Sequence, residues 1–218
     1  MQLLFSKIII PAVCTLLLST TYSGASELNK SHFVKKSTEM GVVLVDVNWG
    51  RQWGCAKYEN AQLESLQFEN VSSGDDEHSE YTQIKLESPS RIFVDKRFIN
   101  YGFIVEPGKY AFTEWVMKVA KSVRDVSYRK AGREQLVNGN EYHGGTFDVG
   151  AGEIVYIGNM FLDCYYSPVP WRYYVEGKKN YETQVKQYKS KFEFLKDKKI
   201  IYRLLDTKNY GSKYSLPE

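Results

Sequence analysis

VVLVDVNW, residues 42–49, opens the patterned part of the chain with the β-branched density of a strand. QLESLQFENV (62–71) follows, then TQIKLES (82–88), where Thr82, Ile84 and Leu86 share one face, and RIFVD (91–95). Each reads as a strand bounded by polar or turn residues. TEWVMKVAKSVRDVSYRK (113–130) fits two periods. Trp115, Val119, Val123 and Val126 approximate helical spacing, while Trp115, Met117, Val119, Lys121 and Val123 alternate. Its valine density favours a long strand over a helix. Asn138-Gly139 then predicts a tight bend among strands.

One segment has a clear helical period. In NYETQVKQYKSKFEFLK (180–196), Tyr181, Val185, Tyr188, Phe192 and Leu195 step by four, three, four and three into one apolar stripe. Asn180 is the expected N-cap, and Glu182 precedes Lys186 by four, the favoured order for a helical ion pair. IIYRLL (200–205) follows as a final short strand or helical turn.

Two stretches echo each other. FIVEPGKYAF (103–112) and FDVGAGEIVYI (147–157) both read Phe-x-Val-x-x-Gly before a second apolar strand. Pro107-Gly108 suits the centre of a type II turn, and Gly150-Ala151-Gly152 makes a tight connection of the same kind. Both are expected to be β-hairpins with Phe and Val on a buried face. The glycine density of GGTFDVGAGEIVYIGN (144–159) also raises a phosphate loop as a possibility. The motif fails: Ala151 and Gly152 stand where lysine and Ser/Thr are required, and a strand pattern follows where a helix is needed.

Together these elements predict a mainly β chain, an antiparallel β-sandwich over residues 41–210 with one C-terminal α-helix at about 180–196. Residues 26–40 read as a flexible lead-in, 72–80 as an exposed polar loop, and 211–218 as a tail. Residues 1–25 have the layout of a signal peptide: Lys7, an apolar run at 8–18, and small residues up to Ala25. Cys14 offers a rival lipidation site, but the residues before it depart from a lipobox. Export to the periplasm or the exterior is expected, with no transmembrane helix in the mature chain.

Composition changes that picture in two places. The net charge of +3 comes with no basic stripe, which argues against a nucleic-acid partner. Beyond Ala25 the chain keeps two cysteines, Cys55 and Cys164, an even pair that an oxidising compartment would bridge; two separate buried thiols are the alternative.

Candidate chemistry is sparse. His32, His78 and His143 are scattered without ligand spacing, and Asp75-Asp76-Glu77-His78 lacks the pattern of a calcium loop, so no metal or cofactor is expected. Cys164 with His143, near Asp148 and Glu153, is the one nucleophile–base pairing to consider, and it would make a hydrolase. The stronger signal is aromatic. Tyr165, Tyr166, Trp171, Tyr173 and Tyr174 gather around two prolines and Arg172 in CYYSPVPWRYYVEG (164–177), a composition suited to a binding surface. Trp49 and Trp53 around Arg51 form a smaller cluster of the same kind.

PGKYAF (107–112) followed by GGTFDVGAGEIVYIGN resembles bacterial envelope domains of unknown function with a transthyretin-like β-sandwich. The likeness covers about residues 90–160 and rests on Pro107, Gly108, Tyr110, Gly152, Tyr156 and Gly158. It implies a periplasmic or lipoprotein-like module and transfers no catalytic residue. The expectation is an exported, non-enzymatic envelope module that binds a protein or glycan partner. A hydrolase, or a purely structural subunit of an envelope assembly, are the alternatives.

Overall fold

The computed structural model describes residues 26–72, 82–173 and 177–212. The signal-peptide residues with Cys14, the acidic run Asp75–His78 and Tyr174 lie outside the described residues. In chain order the elements are β1 (Ser26–Glu27), α1 (Lys30–Lys36), β2 (Gly41–Val47), β3 (Gln52–Cys55), β4 (Tyr58–Asn70) and β5 (Gln83–Glu87). Next come β6 (Ile99–Val105), β7 (Gly108–Ser122), β8 (Asp125–Ala131), the single turn α2 (Arg133–Leu136), β9 (Val137–Asn138) and β10 (Glu141–Tyr142). The chain continues through β11 (Thr146–Val149), β12 (Ile154–Asp163), β13 (Val169–Tyr173), α3 (Gly177–Lys191) and β14 (Ile201–Tyr202). No helix among the described residues is long and apolar enough to cross a membrane.

The strands form a β-sandwich. Sheet I runs β1-β6-β2-β12-β13, with β14 also on β12; sheet II runs β11-β7-β4-β3, with β5 on β4 and β8 on β7. Pairing is mostly antiparallel, but β12 runs parallel to both β2 and β14. Between the sheets lies the larger core, including Val43, Val45, Val47, Leu66, Phe68, Phe112, Met117 and Val155. A second core covers the other face of sheet I. There Val42, Leu44, Ile104, Ile154 and Tyr156 meet Phe33 of α1 and Tyr188, Phe192 and Leu195 around α3. Sheet I is thus covered on both faces, which is why all seven positions of β2 are buried and its sequence is apolar almost without alternation.

The C-terminal stripe is the contact predicted, with each fully buried side chain contributing about 1.5–3 kcal/mol. The helix is set earlier than expected, however. It begins at Gly177, so Asn180 lies inside it rather than capping it, and Phe192–Leu195 leave it in a tighter 3₁₀ turn. Residues 26–40 also differ from the loose lead-in expected. Asn29 caps α1 by accepting the His32 backbone N–H at 2.9 Å, and Leu28 and Phe33 are buried in the second core. Composition hides this because the segment's anchoring apolar residues, Leu28, Phe33 and Met40, are few and widely spaced among polar ones.

Both Phe-x-Val-x-x-Gly echoes keep their buried faces but are not hairpins. β6 pairs with β1 and β2 in sheet I, while β7 pairs with β4, β8 and β11 in sheet II. β11 likewise belongs to sheet II and β12 to sheet I. Pro107-Gly108 and Gly150–Gly152 therefore carry the chain from one layer to the other. At the second crossing Gly152 has φ +74°, and Glu153 closes the turn by accepting the Gly150 N–H at 2.8 Å. Gly144 approaches β7 so closely that a Cβ there would sit 2.1 Å from the Phe112 carbonyl oxygen. Gly144 thus serves a close backbone approach and Gly152 a left-handed turn.

The ambiguous stretch 113–130 is strand, folded back at residues 123–124 into the antiparallel pair β7 and β8. Val137–Asn138 and Glu141–Tyr142 pair around Gly139, as the Asn-Gly signal predicts. RIFVD (91–95) is not a strand. Gln62, 1% exposed, captures that segment: its Nε2 donates to Ser90 O at 3.1 Å, and its Oε1 accepts the Phe93 N–H at 3.0 Å.

Cys55 and Cys164 form a disulfide that joins the end of β3 in sheet II to the end of β12 in sheet I, with Cα atoms 4.6 Å apart. It closes a sequence separation of 109 residues, for which the chain-entropy model gives a stabilisation of about 4–5 kcal/mol. Replacing both cysteines by alanine is expected to lower the unfolding free energy by about that amount in urea titrations. The same measurement on the wild type in reductant should fall to the variant's value.

Candidate functional site

The bulge at Gly158 builds the polar centre of the molecule. Before it, Ile154 and Tyr156 of β12 face the helices while Val155 and Ile157 face sheet II. The register then shifts between Tyr156 and Asn159, with Gly158 at φ +113°, and the faces exchange. Asn159 and Phe161 now share the helix-side face with Tyr156, and Met160 and Leu162 enter the inner core. Tyr156 Oη donates to Asn159 Oδ1 at 2.5 Å across this bulge.

The pairings set Asn100, Asp46, Asn159 and Tyr173 side by side, one from each of β6, β2, β12 and β13. Asp46 is fully buried and is the one buried carboxylate among the described residues. Tyr188 Oη donates to its Oδ1 at 2.5 Å, Asn100 Nδ2 donates to the same oxygen at 2.6 Å, and Gln184 Nε2 donates to Oδ2. Lys191 Nζ lies close by, donating to Asn100 O at 2.5 Å. Burial pushes the Asp46 carboxyl up from 3.8 to about 6, against the pull of its three donors and of Lys191. Burial and the neighbouring carboxylate hold the Tyr188 and Tyr156 hydroxyls well above their usual range. Two of these three donors, Gln184 and Tyr188, come from α3 and fasten it to the sheet, and Asn100 adds a cross-strand bond from β6.

Beyond the edge of α3 the same face of sheet I carries aromatics. Phe161 is directly opposite Trp171, and its ring meets Tyr173 edge-on at a centroid distance of 6.0 Å. Tyr173 is exposed, and Phe161, Trp171 and Asn159 are partly so. They make a ledge whose inner margin is the polar row.

The predicted aromatic cluster therefore divides. Trp171 and Tyr173 stand on the ledge. Arg172, expected as a contact, points to the opposite face of β13 and is buried, because alternation inside a strand separates neighbours. Its guanidinium donates to Ser212 O and its backbone N–H to Tyr210 O, so it holds the C-terminal segment. Tyr165 and Tyr166 pack on each other at 4.5 Å in the β12–β13 turn, with no ring contact to Trp171 or Tyr173 among the described residues. Trp49 likewise leaves its predicted cluster: it is buried, donating to Tyr101 Oη at 2.9 Å, while Trp53 stays exposed with Arg51 5.7 Å above its ring. The nucleophile pairing is removed, since Cys164 is in the disulfide. His143 is exposed, 4.0 Å from Glu141, and Glu153 is bound by Arg203 at 2.5 Å.

Phe161, Asn159 and Asp46 are site residues that the aromatic pattern does not point to. The polar residue inside the apolar run VVLVDV was a visible signal for Asp46. Asn159 is placed by the bulge and Phe161 by the β12–β13 register, neither of which a local pattern encodes.

Because folding raises the Asp46 value, its stabilisation is complete below 3.8 and is lost as pH rises through about 6. Asp46→Asn removes that titration. The stability difference, wild type minus variant, is expected to fall by about 2–3 kcal/mol between pH 4 and pH 7.5 in urea titrations. Glu153, whose carboxyl Arg203 holds below its usual range, acts in the opposite sense and cancels in the difference. A pH-independent difference would contradict the assignment.

No family model, curated protein or solved structure matches the chain.

Proposed function

We propose that this chain is an exported module of the bacterial envelope that binds a glycan on the ledge formed by Phe161, Trp171 and Tyr173. The observation that carries this reading is the ledge itself: aromatic side chains on one sheet face, with the Asn159 amide at the margin. Aromatic rings offer apolar faces to the C–H side of a sugar ring, and an adjacent amide can both donate to and accept from its hydroxyls. The Asp46 anchor, buried under α3, keeps the floor rigid without contacting the ligand. Export is supported by the leader-like residues 1–25 and by a disulfide suited to an oxidising compartment.

The test is retention on purified peptidoglycan sacculi and on immobilised lipopolysaccharide oligosaccharide. Trp171→Ala and Tyr173→Ala are each expected to weaken retention by roughly tenfold, in line with losing one well-packed aromatic contact. Tyr165→Ala should leave it unchanged, and near-UV circular dichroism should show each variant folded. Retention that survives both ledge substitutions would overturn the site. A wild type retained by neither glycan, but by an envelope protein through the ledge, would overturn the ligand class.

A further inference from the structure

The exposed apolar side chains are concentrated. Apart from Val34, Tyr173 and Tyr128 in the middle of β8, the large ones among the described residues lie in the disulfide-bearing end of the sandwich. Three turns meet there. The β3–β4 turn follows Cys55, and the β7–β8 turn follows Ser122; the pairing of Asn60 with Ala120 sets them beside each other. The β12–β13 turn is tied to the first by Cys55–Cys164 and to β8 by Arg129 Nη1 donating to Ser167 Oγ at 2.8 Å. The segment leading into β6 reaches the same end, with Arg51 N–H donating to Phe93 O at 2.7 Å and Asn48 Nδ2 to Lys96 O at 2.6 Å.

Two of these turns carry large apolar side chains at their tips, Val123 on one and Tyr165 and Tyr166 on the other. Val123 is 92% exposed and Tyr166 88%, with Tyr165, Trp53, Ile92 and Val94 around them. Basic residues interleave: Lys57 on the first turn, Lys121 and Arg124 on the second, Lys96 on the approach to β6. Four acids lie in the same region: Asp125 is 3.9 Å from Lys121, Asp95 is 2.6 Å from Arg97, Asp163 accepts the Tyr165 N–H at 3.3 Å, and Glu59 flanks the first turn; Arg51, Lys57, Lys96, Arg97, Lys121 and Arg124 outnumber them.

We propose that this end docks on an anionic bilayer surface. Val123, Tyr165 and Tyr166 enter the headgroup boundary, and Lys57, Lys121 and Arg124 meet the lipid phosphates. Exposed apolar groups rimmed by charge mark interaction sites. These sit on the tips of separate turns, each able to insert on its own into the headgroup boundary. Tyrosine and tryptophan favour the membrane interface because one end of the ring is apolar and the other polar. The basic residues supply charge complementarity to an anionic leaflet, an attraction that salt screens.

The test uses the chain from residue 26 onward, so that the apolar run at 8–18 does not contribute. It is co-sedimented with phosphatidylcholine vesicles, with and without phosphatidylglycerol. Partition is expected to be stronger with the anionic lipid and to fall as salt is raised. Val123→Asp with Tyr166→Ser should weaken it roughly tenfold or more, and Lys121→Gln with Arg124→Gln should do so by about tenfold while removing most of the salt dependence. All four positions are exposed turn or strand-end sites, and near-UV circular dichroism checks the fold. Trp171→Ala, on the glycan ledge, should partition like wild type. Absence of wild-type binding to phosphatidylglycerol vesicles would overturn the proposal, as would binding indifferent to both double variants.

Discussion

The structure depends on a sheet with no solvent face at its centre. β2 lies between β6 and β12, with sheet II beneath it and α3 above, so every group on it must find its partner inside the protein. Six of its seven residues meet that demand with glycine or an apolar side chain. Asp46 meets it by gathering donors from Tyr188, Gln184 and Asn100. A buried carboxylate accepting three hydrogen bonds specifies position more sharply than apolar packing does, because a shift of one residue along α3 would leave it unsatisfied. The apolar stripe of α3 provides attraction to the sheet; the acid provides register.

The same demand explains the bulge in β12. Without it, strict alternation would turn Asn159 into the inner core and Met160 out toward the helices. Gly158 allows the extra residue, and Arg172 packs over it: a Cβ at Gly158 would lie 3.0 Å from Arg172 Cδ. One glycine thus connects the polar row, the aromatic ledge and the anchoring of the C-terminal segment.

Local pattern revealed the faces and failed on the partners. Alternation identified the buried sides of β5 and β7, and the four-three stepping identified the stripe from Tyr181 to Leu195. The turn residues at Pro107-Gly108 and Gly150–Gly152 marked where strands end, but not as hairpin turns. Whether a reversed strand pairs with its predecessor or crosses to the opposite sheet is decided by contacts distant in sequence, such as Val42 with Ile104 and Phe68 with Phe112, which no short motif encodes. The site was half legible for the same reason. Trp171 and Tyr173 share a face by simple alternation, which should also have excluded Arg172 from it. Phe161 joins them only through the β12–β13 register, and Asn159 only through the bulge.

The disulfide links these two levels. It sits outside the helix-covered half of sheet I, at the end where β3 and β12 finish in different layers. Sandwich ends are held together only by turns, and turns open more readily than the strands behind them. A covalent tie between Cys55 and Cys164 fixes the β3–β4 and β12–β13 turns relative to each other, and the Arg129–Ser167 hydrogen bond adds β8 to the same frame. Exposed apolar tips lose less conformational entropy on contact when their turns are already held in place. The end of the molecule that carries most of the large exposed apolar side chains is therefore covalently braced.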